Sequence, residues 1–344
     1  MQAILDPLDD LVASGRAGAA QLAVRRGETF SLCRAFGTNR DDPVTRDDPF
    51  LVASITKPMT ATAVMQRVEA GDVGLDDPVA EYLPAFTGEG RERVTVRHLL
   101  THTSGLPNML ADNEALRRRN EPNATFVDRT LEASLRFDPG TETAYQSMGT
   151  NLAGAIVERV TDVPLREYLR EHVFDPLGMH DTFLGLGGRS LDVVVPCDVE
   201  PAAGDPGFER WDWNSRYWRD FGAPWGGAHS TATDLAKFLG AFLQDGGPIL
   251  DAETAAAMTA HQTPEHEEAW GLGFQLGPER DHFSPAVSSA TFGHAGATGC
   301  VAWADPTREL TVVCLTTLPL ADQPDGFLAD VSAAAVAASD ALSS

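Results

Sequence analysis

Phe50-Leu51-Val52-Ala53-Ser54-Ile55-Thr56-Lys57 is the stretch on which the reading of this 344-residue chain turns. Four apolar residues lead into a serine, and a lysine follows three positions later. Lys57 is one of two lysines beside 24 arginines, so a chain that otherwise relies on guanidinium charge makes an exception here. Arginine stays protonated at any ordinary pH, whereas a lysine that is desolvated or placed near another cation loses its proton. A site that must take a proton from a serine hydroxyl can therefore use lysine and not arginine. Ala61, Val64, Met65 and Val68 then recur at helical spacing, with Gly71 as a stop. A helix opening at Ser54 places that hydroxyl and its N–H at the positive end of the helix dipole, with Lys57 on the same face. The competing roles are plain ones: Ser54 as a helix cap and Lys57 as a surface charge.

Outward from this segment, residues 2 to 14 carry apolar positions at helical spacing. Gln21-Leu22-Ala23-Val24-Arg25-Arg26 and Thr29-Phe30-Ser31-Leu32-Cys33 flank Gly27 as a hairpin. Helices are expected at Thr95 to Leu100, through Leu152, Ala155, Ile156 and Val160, and at Pro164 to Phe174, where Pro164 suits a first turn. Residues 181 to 230 are rich in Gly, Pro and Trp without periodicity, which predicts a long structured loop. A helix through Leu235, Phe238, Leu239 and Phe242 precedes strand-like runs at Trp270 to Leu276, Thr291 to His294, Cys300 to Ala304 and Leu310 to Thr317, then an alanine-rich helix. Strands at both ends with helices between them predict an α+β fold, an antiparallel sheet flanked by helices and built from both termini. The expected sheet domain is 1–60 with 226–344, and the inserted, mainly helical domain is 61–225, ending in the aromatic-rich loop of about 181–225.

A 43% hydrophobic content over this length suffices for a large core. The formal net charge of −24 leaves no basic stripe, which argues against nucleic acid as a partner. The first residues show neither a basic n-region nor an apolar h-region, and no run approaches the roughly 18 apolar residues of a membrane span. The chain is therefore expected to be cytoplasmic, without a membrane partner; its oligomeric state is open. Cys33, Cys197, Cys300 and Cys314 lack Cys-x-x-Cys spacing, against zinc or a redox pair, and Cys300 and Cys314 fall in strand-like stretches as buried thiols. His261 and His266 near Glu265, Glu267 and Glu268 match no ligand spacing and read as a solvated acidic loop. No metal or cofactor is expected.

Two further segments carry chemistry. Asp138-Pro139-Gly140-Thr141-Glu142-Thr143-Ala144-Tyr145-Gln146-Ser147 places a tyrosine between a Pro-Gly turn and a helix. Phe292-Gly293-His294-Ala295-Gly296-Ala297-Thr298-Gly299 places a histidine at a strand end, among glycines that permit close backbone approach. With Ser54 and Lys57, these segments resemble the Ser-x-x-Lys, Tyr-x-Asn/Ser and Lys/His-x-Gly motifs of the penicillin-binding and serine β-lactamase superfamily. Val96 to Pro107 and Ser230 to Leu239 are similar to framework segments of its class C β-lactamase-like branch, and the resemblance runs from about residue 20 to about 317. It implies a β-lactamase/transpeptidase-like fold with Ser54 as the acylated nucleophile and Lys57 and Tyr145 sharing its proton. A cationic Lys57 would lower the Tyr145 pKa, and Tyr145 would return the proton to the leaving group. The backbone N–H groups of Ser54 and Ala297 would form the oxyanion hole, and Ser147, His294, Gly296 and Trp225 would line the substrate site.

Two departures shape the substrate reading. Ser147 stands where the branch usually has asparagine, and serine lacks the paired donor and acceptor of an amide. His294 stands where β-lactamases usually have lysine, and histidine is largely neutral at pH 7. Both weaken recognition of a β-lactam or peptide carboxylate. Trp211, Trp213, Tyr217, Trp218, Phe221 and Trp225 either pack the long loop or wall the cleft, and in the second case they favour an apolar acyl or alcohol group. His98 and His102 share a helical face in a framework segment and read as hydrogen-bonded structure, and Lys237 as a helix surface residue. The expected activity is a serine hydrolase acting through an acyl-enzyme on a small ester, by hydrolysis or acyl transfer. The alternatives are a β-lactamase or an amidase or peptidase for D-amino-acid substrates, and a non-catalytic ligand sensor.

Overall fold

The structure, a computed structural model, describes residues 2–199, 207–266, 268–278 and 282–341. The N-terminal pattern folds as α1 (Gln2–Ala13) followed by the hairpin β1 (Ala19–Arg26) and β2 (Thr29–Asn39), extended by the short β3 (Asp42–Pro43). The remaining strands are β4 (Phe50–Leu51), β5 (Phe183–Leu184), β6 (Ala228–Ser230), β7 (Gln275–Leu276), β8 (Phe292–Gly296), β9 (Cys300–Asp305) and β10 (Leu310–Thr316). Seven of them form an antiparallel sheet in the order β3-β2-β1-β10-β9-β8-β7, so the first long strand lies directly beside the last, with Leu22 opposite Cys314 and Val24 opposite Val312.

Side chains alternate across a strand, so each long strand serves two layers. Leu22 and Val24 on β1, Val301 and Trp303 on β9 and Val312 and Cys314 on β10 pack with Leu8 and Leu11 of α1 and with Val331 and Ala335 of the terminal helix. The intervening Ala23, Ala302, Val313 and Leu315 pack into the other core with Leu235, Phe238 and Leu239. Burial on both faces explains why β10 reads as an unbroken apolar run.

The helices between the strands are α2 (Thr56–Glu69), α3 (Val79–Tyr82), α4 (Val96–Leu100), α5 (Asn113–Arg118), α6 (Asn123–Leu131), α7 (Ser147–Thr161), α8 (Leu165–Leu169) and α9 (Arg216–Phe221). Downstream follow α10 (Ala232–Phe242), α11 (Ala252–Thr259) and α12 (Phe327–Ala341). In α2 every residue from Thr56 to Gln66 is buried, so this helix is surrounded by protein rather than lying on a surface. Among the described residues no helix is long and apolar enough to cross a membrane.

Several expectations need correction. Ser54 does not open the long helix; it lies in a 3-10 turn, Ala53–Ile55, and α2 begins at Thr56. Pro164 stands one residue before α8 in extended backbone, and Arg170–Phe174 is a π-helical turn. The stretch 181–230 is not all loop: β5 and β6 pair, β4 joins them in the order β4-β6-β5, and α9 lies between. Strands of two or three residues are too short to display a period of two. Residues 200–206 of that stretch lie outside the described residues. Of Trp270 to Leu276 only Gln275–Leu276 is strand, because the chain turns back at Gly273, leaving Trp270 bridged to Gln275.

Candidate active site

The Ser54 turn is fixed from both sides. Leu51 pairs with His229 on β6, and the Val52 N–H donates to the Ala228 carbonyl at 3.0 Å. Ala53 then takes φ +45°, a costly conformation for a residue with a Cβ and one that concentrates at functional turns. The end of β8 closes on this turn so tightly that a Cβ at Gly296 would lie 2.3 Å from the Val52 carbonyl oxygen, which is why glycine stands there. Neither residue flanking the turn makes a side-chain cap, and it is Thr56 whose hydroxyl donates to Ala53 O at 2.7 Å. The half-buried Ser54 hydroxyl is thus free for other partners.

Those partners are Lys57 and Tyr145. Lys57 is 1% exposed; its Nζ lies 3.1 Å from Ser54 Oγ, 3.0 Å from the Trp225 carbonyl oxygen and 4.6 Å from the Tyr145 ring centroid. No carboxylate forms an ion pair with it among the described residues, and burial pushes its pKa well below the usual lysine value. Burial raises the Tyr145 pKa above the ordinary phenol range, and its interaction with the Ser54 side chain opposes this only in part. The expectation that Lys57 lowers the Tyr145 pKa is therefore overturned. The amine sits over the face of the ring, and the desolvation that keeps the phenol protonated also disfavours the ammonium.

Tyr145 is held by a segment that sequence reasoning undervalued. His102 lies beyond the end of α4, at φ +62°, and does not share a helical face with His98. Its Nδ1 accepts the Gln146 N–H at 3.2 Å, its carbonyl accepts the Ala144 N–H at 2.9 Å, and its ring packs 4.8 Å from Tyr145 and 4.1 Å from Trp270. His98 is structural as expected, its Nδ1 accepting the Thr95 N–H in a capping box. The only sequence signal for His102 is its place in the Thr-His-Thr-Ser-Gly run.

His294 is 2% exposed on β8 with its ring 6.0 Å from Tyr145. Its Nδ1 lies 2.7 Å from the Ala295 carbonyl and donates to it, which leaves Nε2 as a lone pair without a partner among the described residues. Burial, and secondarily nearby Lys57, push its pKa well below the usual imidazole value, so the ring is neutral. Ala297 is exposed in the turn after β8, its carbonyl accepting the Leu320 N–H at 3.0 Å. The Ala297 N–H, in the turn after β8, donates to no backbone carbonyl among the described residues.

Other expected residues lie elsewhere. Trp225 reaches the site through its carbonyl, while its ring is packed against Phe126, Trp218 and Phe221, so these rings pack around α9; Trp211 and Trp213 of the same cluster instead line a cavity of 450 Å³ with Arg117, Phe208 and Pro319. Ser147 is buried at the start of α7 and turns its hydroxyl to Asn108 Oδ1 at 2.8 Å. Lys237 is not a simple surface residue: its Nζ is 2.7 Å from Asp234, whose side chain is 2% exposed, and also donates to Gly178 O. His261 is exposed and His266 half-buried in the loop after α11, and Glu267 lies outside the described residues. Cys197, Cys300 and Cys314 are buried free thiols and Cys33 a half-buried one.

Penicillin-binding protein 4 of Amycolatopsis lactamdurans is 34% identical over 231 residues, 62% of this chain and 57% of that protein. Esterase EstB of Burkholderia gladioli is 36% identical over 182 residues, 48% of this chain and 46% of the esterase. The matched region thus spans about half the length of these curated relatives. Among solved structures, D-amino acid amidase from Ochrobactrum anthropi superposes with a TM-score of 0.77 at 25% identity, covering 99% of this chain and 98% of the amidase. The family model described as Beta-lactamase matches residues 5–337, nearly the whole chain. This protein, with its serine, lysine and tyrosine gathered at the foot of α2, belongs to the beta-lactamase family.

Proposed function

We propose that this chain is a serine hydrolase that forms a covalent acyl-enzyme on Ser54 and acts on small esters, hydrolysing them or transferring their acyl group. The observation that carries the reading is the buried Lys57 amine, 3.1 Å from Ser54 Oγ and without a carboxylate partner. In the proposed sequence, neutral Lys57 takes the Ser54 proton as Oγ bonds to the substrate carbonyl carbon. The carbonyl oxygen gains negative charge and lies between the N–H groups of Ser54 and Ala297, each such donor contributing roughly 3 kcal/mol to the transition state. The leaving oxygen departs with the Tyr145 proton, and Tyr145 recovers one from the Lys57 ammonium. Water repeats these steps to release the acid and free Ser54, or a second alcohol takes the acyl group.

Neutral His294 supports an ester over a carboxylate-bearing β-lactam or peptide terminus, because no fixed cation stands on β8 to receive the carboxylate. The relative named an esterase points the same way, and the neighbour named a D-amino acid amidase keeps an amide substrate as a second reading. The test is steady-state turnover of p-nitrophenyl butyrate beside nitrocefin with wild type and Ser54→Ala. Ester turnover lost in Ser54→Ala, with slow nitrocefin turnover, is expected. Fast nitrocefin hydrolysis would make the protein a β-lactamase instead, and full ester turnover in Ser54→Ala would end the acyl-enzyme scheme.

A further inference from the structure

The turn that carries Ala297 is held from two sides, and one of its ties crosses to the strand that leads into Ser54. Gly296 pairs with Cys300 across the hairpin, and the Gly299 N–H donates to the Gly296 carbonyl at 2.9 Å. The carbonyl and N–H of one trans peptide point in opposite directions, so a Gly296 carbonyl turned into the hairpin turns the Ala297 N–H out of it. Behind the turn, the Ala297 carbonyl accepts the Leu320 N–H at 3.0 Å, and the Gly299 carbonyl accepts from Thr316 Oγ1 at 2.9 Å and from Gln323 Nε2 at 3.1 Å. Thr298 supplies the tie on the other side. It is 1% exposed, and its Oγ1 donates to the Leu51 carbonyl at 2.6 Å, across 247 positions of sequence. Because β8 and β4 belong to different sheets, no strand ladder sets their spacing. The hydroxyl bond does so, together with the contact of Gly296 against Val52 that leaves no room for a Cβ.

We infer that Thr298 is a positioning residue of the proposed oxyanion site: its hydroxyl, bonded to the Leu51 carbonyl, fixes the distance between the Ala297 N–H and the Ser54 N–H. The inference rests on the serine-hydrolase reading above and adds to it a residue that acts through the backbone. Leu51 stands three residues before Ser54 and Thr298 directly after Ala297, so the bond joins the two donor-bearing segments close to both N–H groups. Cys300 Sγ lies 3.7 Å from Thr298 Oγ1 and 3.9 Å from the Leu51 carbonyl oxygen, and a thiol is too weak a donor to take over the tie. Two donors stabilise a developing oxyanion only when both stand at hydrogen-bond distance from it, a demand that the ground-state carbonyl makes far less strictly. Loss of the tie is therefore felt in the transition state more than in substrate binding.

The test measures p-nitrophenyl butyrate hydrolysis, inhibition by phenylboronic acid and thermal unfolding in wild type, Thr298→Val and Thr298→Ser. Thr298→Val keeps the shape and loses the donor, and its kcat is expected to fall by about tenfold to a hundredfold with KM held within about twofold. Ser54 Oγ adds to the boron of phenylboronic acid, losing its proton and leaving a tetrahedral anion, so affinity for this inhibitor is expected to fall alongside kcat. Thr298→Ser restores the hydroxyl and should recover most of both. A kcat in Thr298→Val within about twofold of wild type, a loss confined to KM, unchanged affinity for the boronic acid or an equal loss in Thr298→Ser would overturn the inference. Should the valine variant not fold, Thr298→Ala, which leaves room for a water at the Leu51 carbonyl, replaces it with the same expected fall and the same results counting against it. Ser54→Ala tests the hydrolase reading separately: an inactive Ser54→Ala beside a fully active Thr298→Val would leave that reading standing and remove this one. Wild-type protein that turns over no ester would remove both.

Discussion

A primary amine held beside a serine hydroxyl can accept its proton only while unprotonated, and burial of Lys57 pushes its pKa well below the usual lysine value, toward that condition. Lys57→Arg keeps a positive charge but cannot shed its proton, so ester kcat/KM is expected to fall by roughly a thousandfold or more. The wild-type rate should rise with pH as Lys57 loses its proton, and a kcat/KM profile recorded from acid to alkaline pH checks this. The same depressed pKa acts on stability with a definite sign. Below the ordinary lysine value of 10.5 the unfolded chain binds a proton that the folded chain resists, so Lys57 opposes folding there, and the effect disappears above that value. Lys57→Met should therefore be inactive yet melt no lower than wild type near pH 7 in a thermal denaturation scan. A lower melting temperature would mean that its hydrogen bonds to Ser54 and Trp225 outweigh the cost of burying the amine.

At the scale of elements, the three-stranded sheet β4-β6-β5 does more to place the serine than its few residues suggest. Its central strand carries His229, fully buried, with neither ring nitrogen hydrogen-bonded among the described residues and with Phe183 stacked on the ring at 5.1 Å. Burial first, then Arg219, Arg189 and Arg166, hold its pKa well below the ordinary imidazole value of 6.5. Its neutral form is the folded form. The stability it allows is complete above pH 6.5 and is lost as pH falls below that value, because the unfolded chain then takes up a proton that the fold excludes. The slope is about 1.4 kcal/mol per pH unit for one proton. Melting temperature measured between pH 7 and pH 5 should fall less steeply in His229→Phe than in wild type. Equal slopes would assign the acid sensitivity elsewhere, His294 being the next candidate. The long elements were legible in the sequence, α10 from its helical spacing, β1, β9 and β10 from sustained apolar runs, and α12 from its alanine content. The strands β4, β5 and β6 were not, having two or three residues each.

Over the whole molecule, 50 acidic residues against 26 basic ones make self-repulsion a general opponent of folding. The ion pairs are mostly exposed, such as Arg118–Glu114 and Arg170–Glu171, and exposed pairs contribute little each. Screening should therefore help more than it harms. Melting temperature is expected to rise by several degrees between about 0.01 M and 1 M sodium chloride, where the screening length falls from roughly 30 Å to 3 Å. A flat or falling response in differential scanning calorimetry would show that the short ion pairs outweigh the net repulsion.

The sequence by itself determined the α+β layering, because helical apolar spacing marks the helices and sustained apolar runs mark strands buried on both faces, grouped at the two ends of the chain. It also marked the residues of the proposed reactive set, because Ser54, Lys57, Tyr145 and His294 stand out by residue type and by nearby turns and glycines. Tertiary structure alone decided their state. Whether Lys57 is neutral, Tyr145 protonated and His294 uncharged depends on desolvation by residues hundreds of positions away, and no local pattern encodes that. It likewise decided that Trp225 serves through its carbonyl, that His102 braces Tyr145, and that Ser147 turns its hydroxyl to Asn108. These are long-range contacts made by loops, where side-chain direction follows the packing of neighbours and not the repeat of a helix or strand.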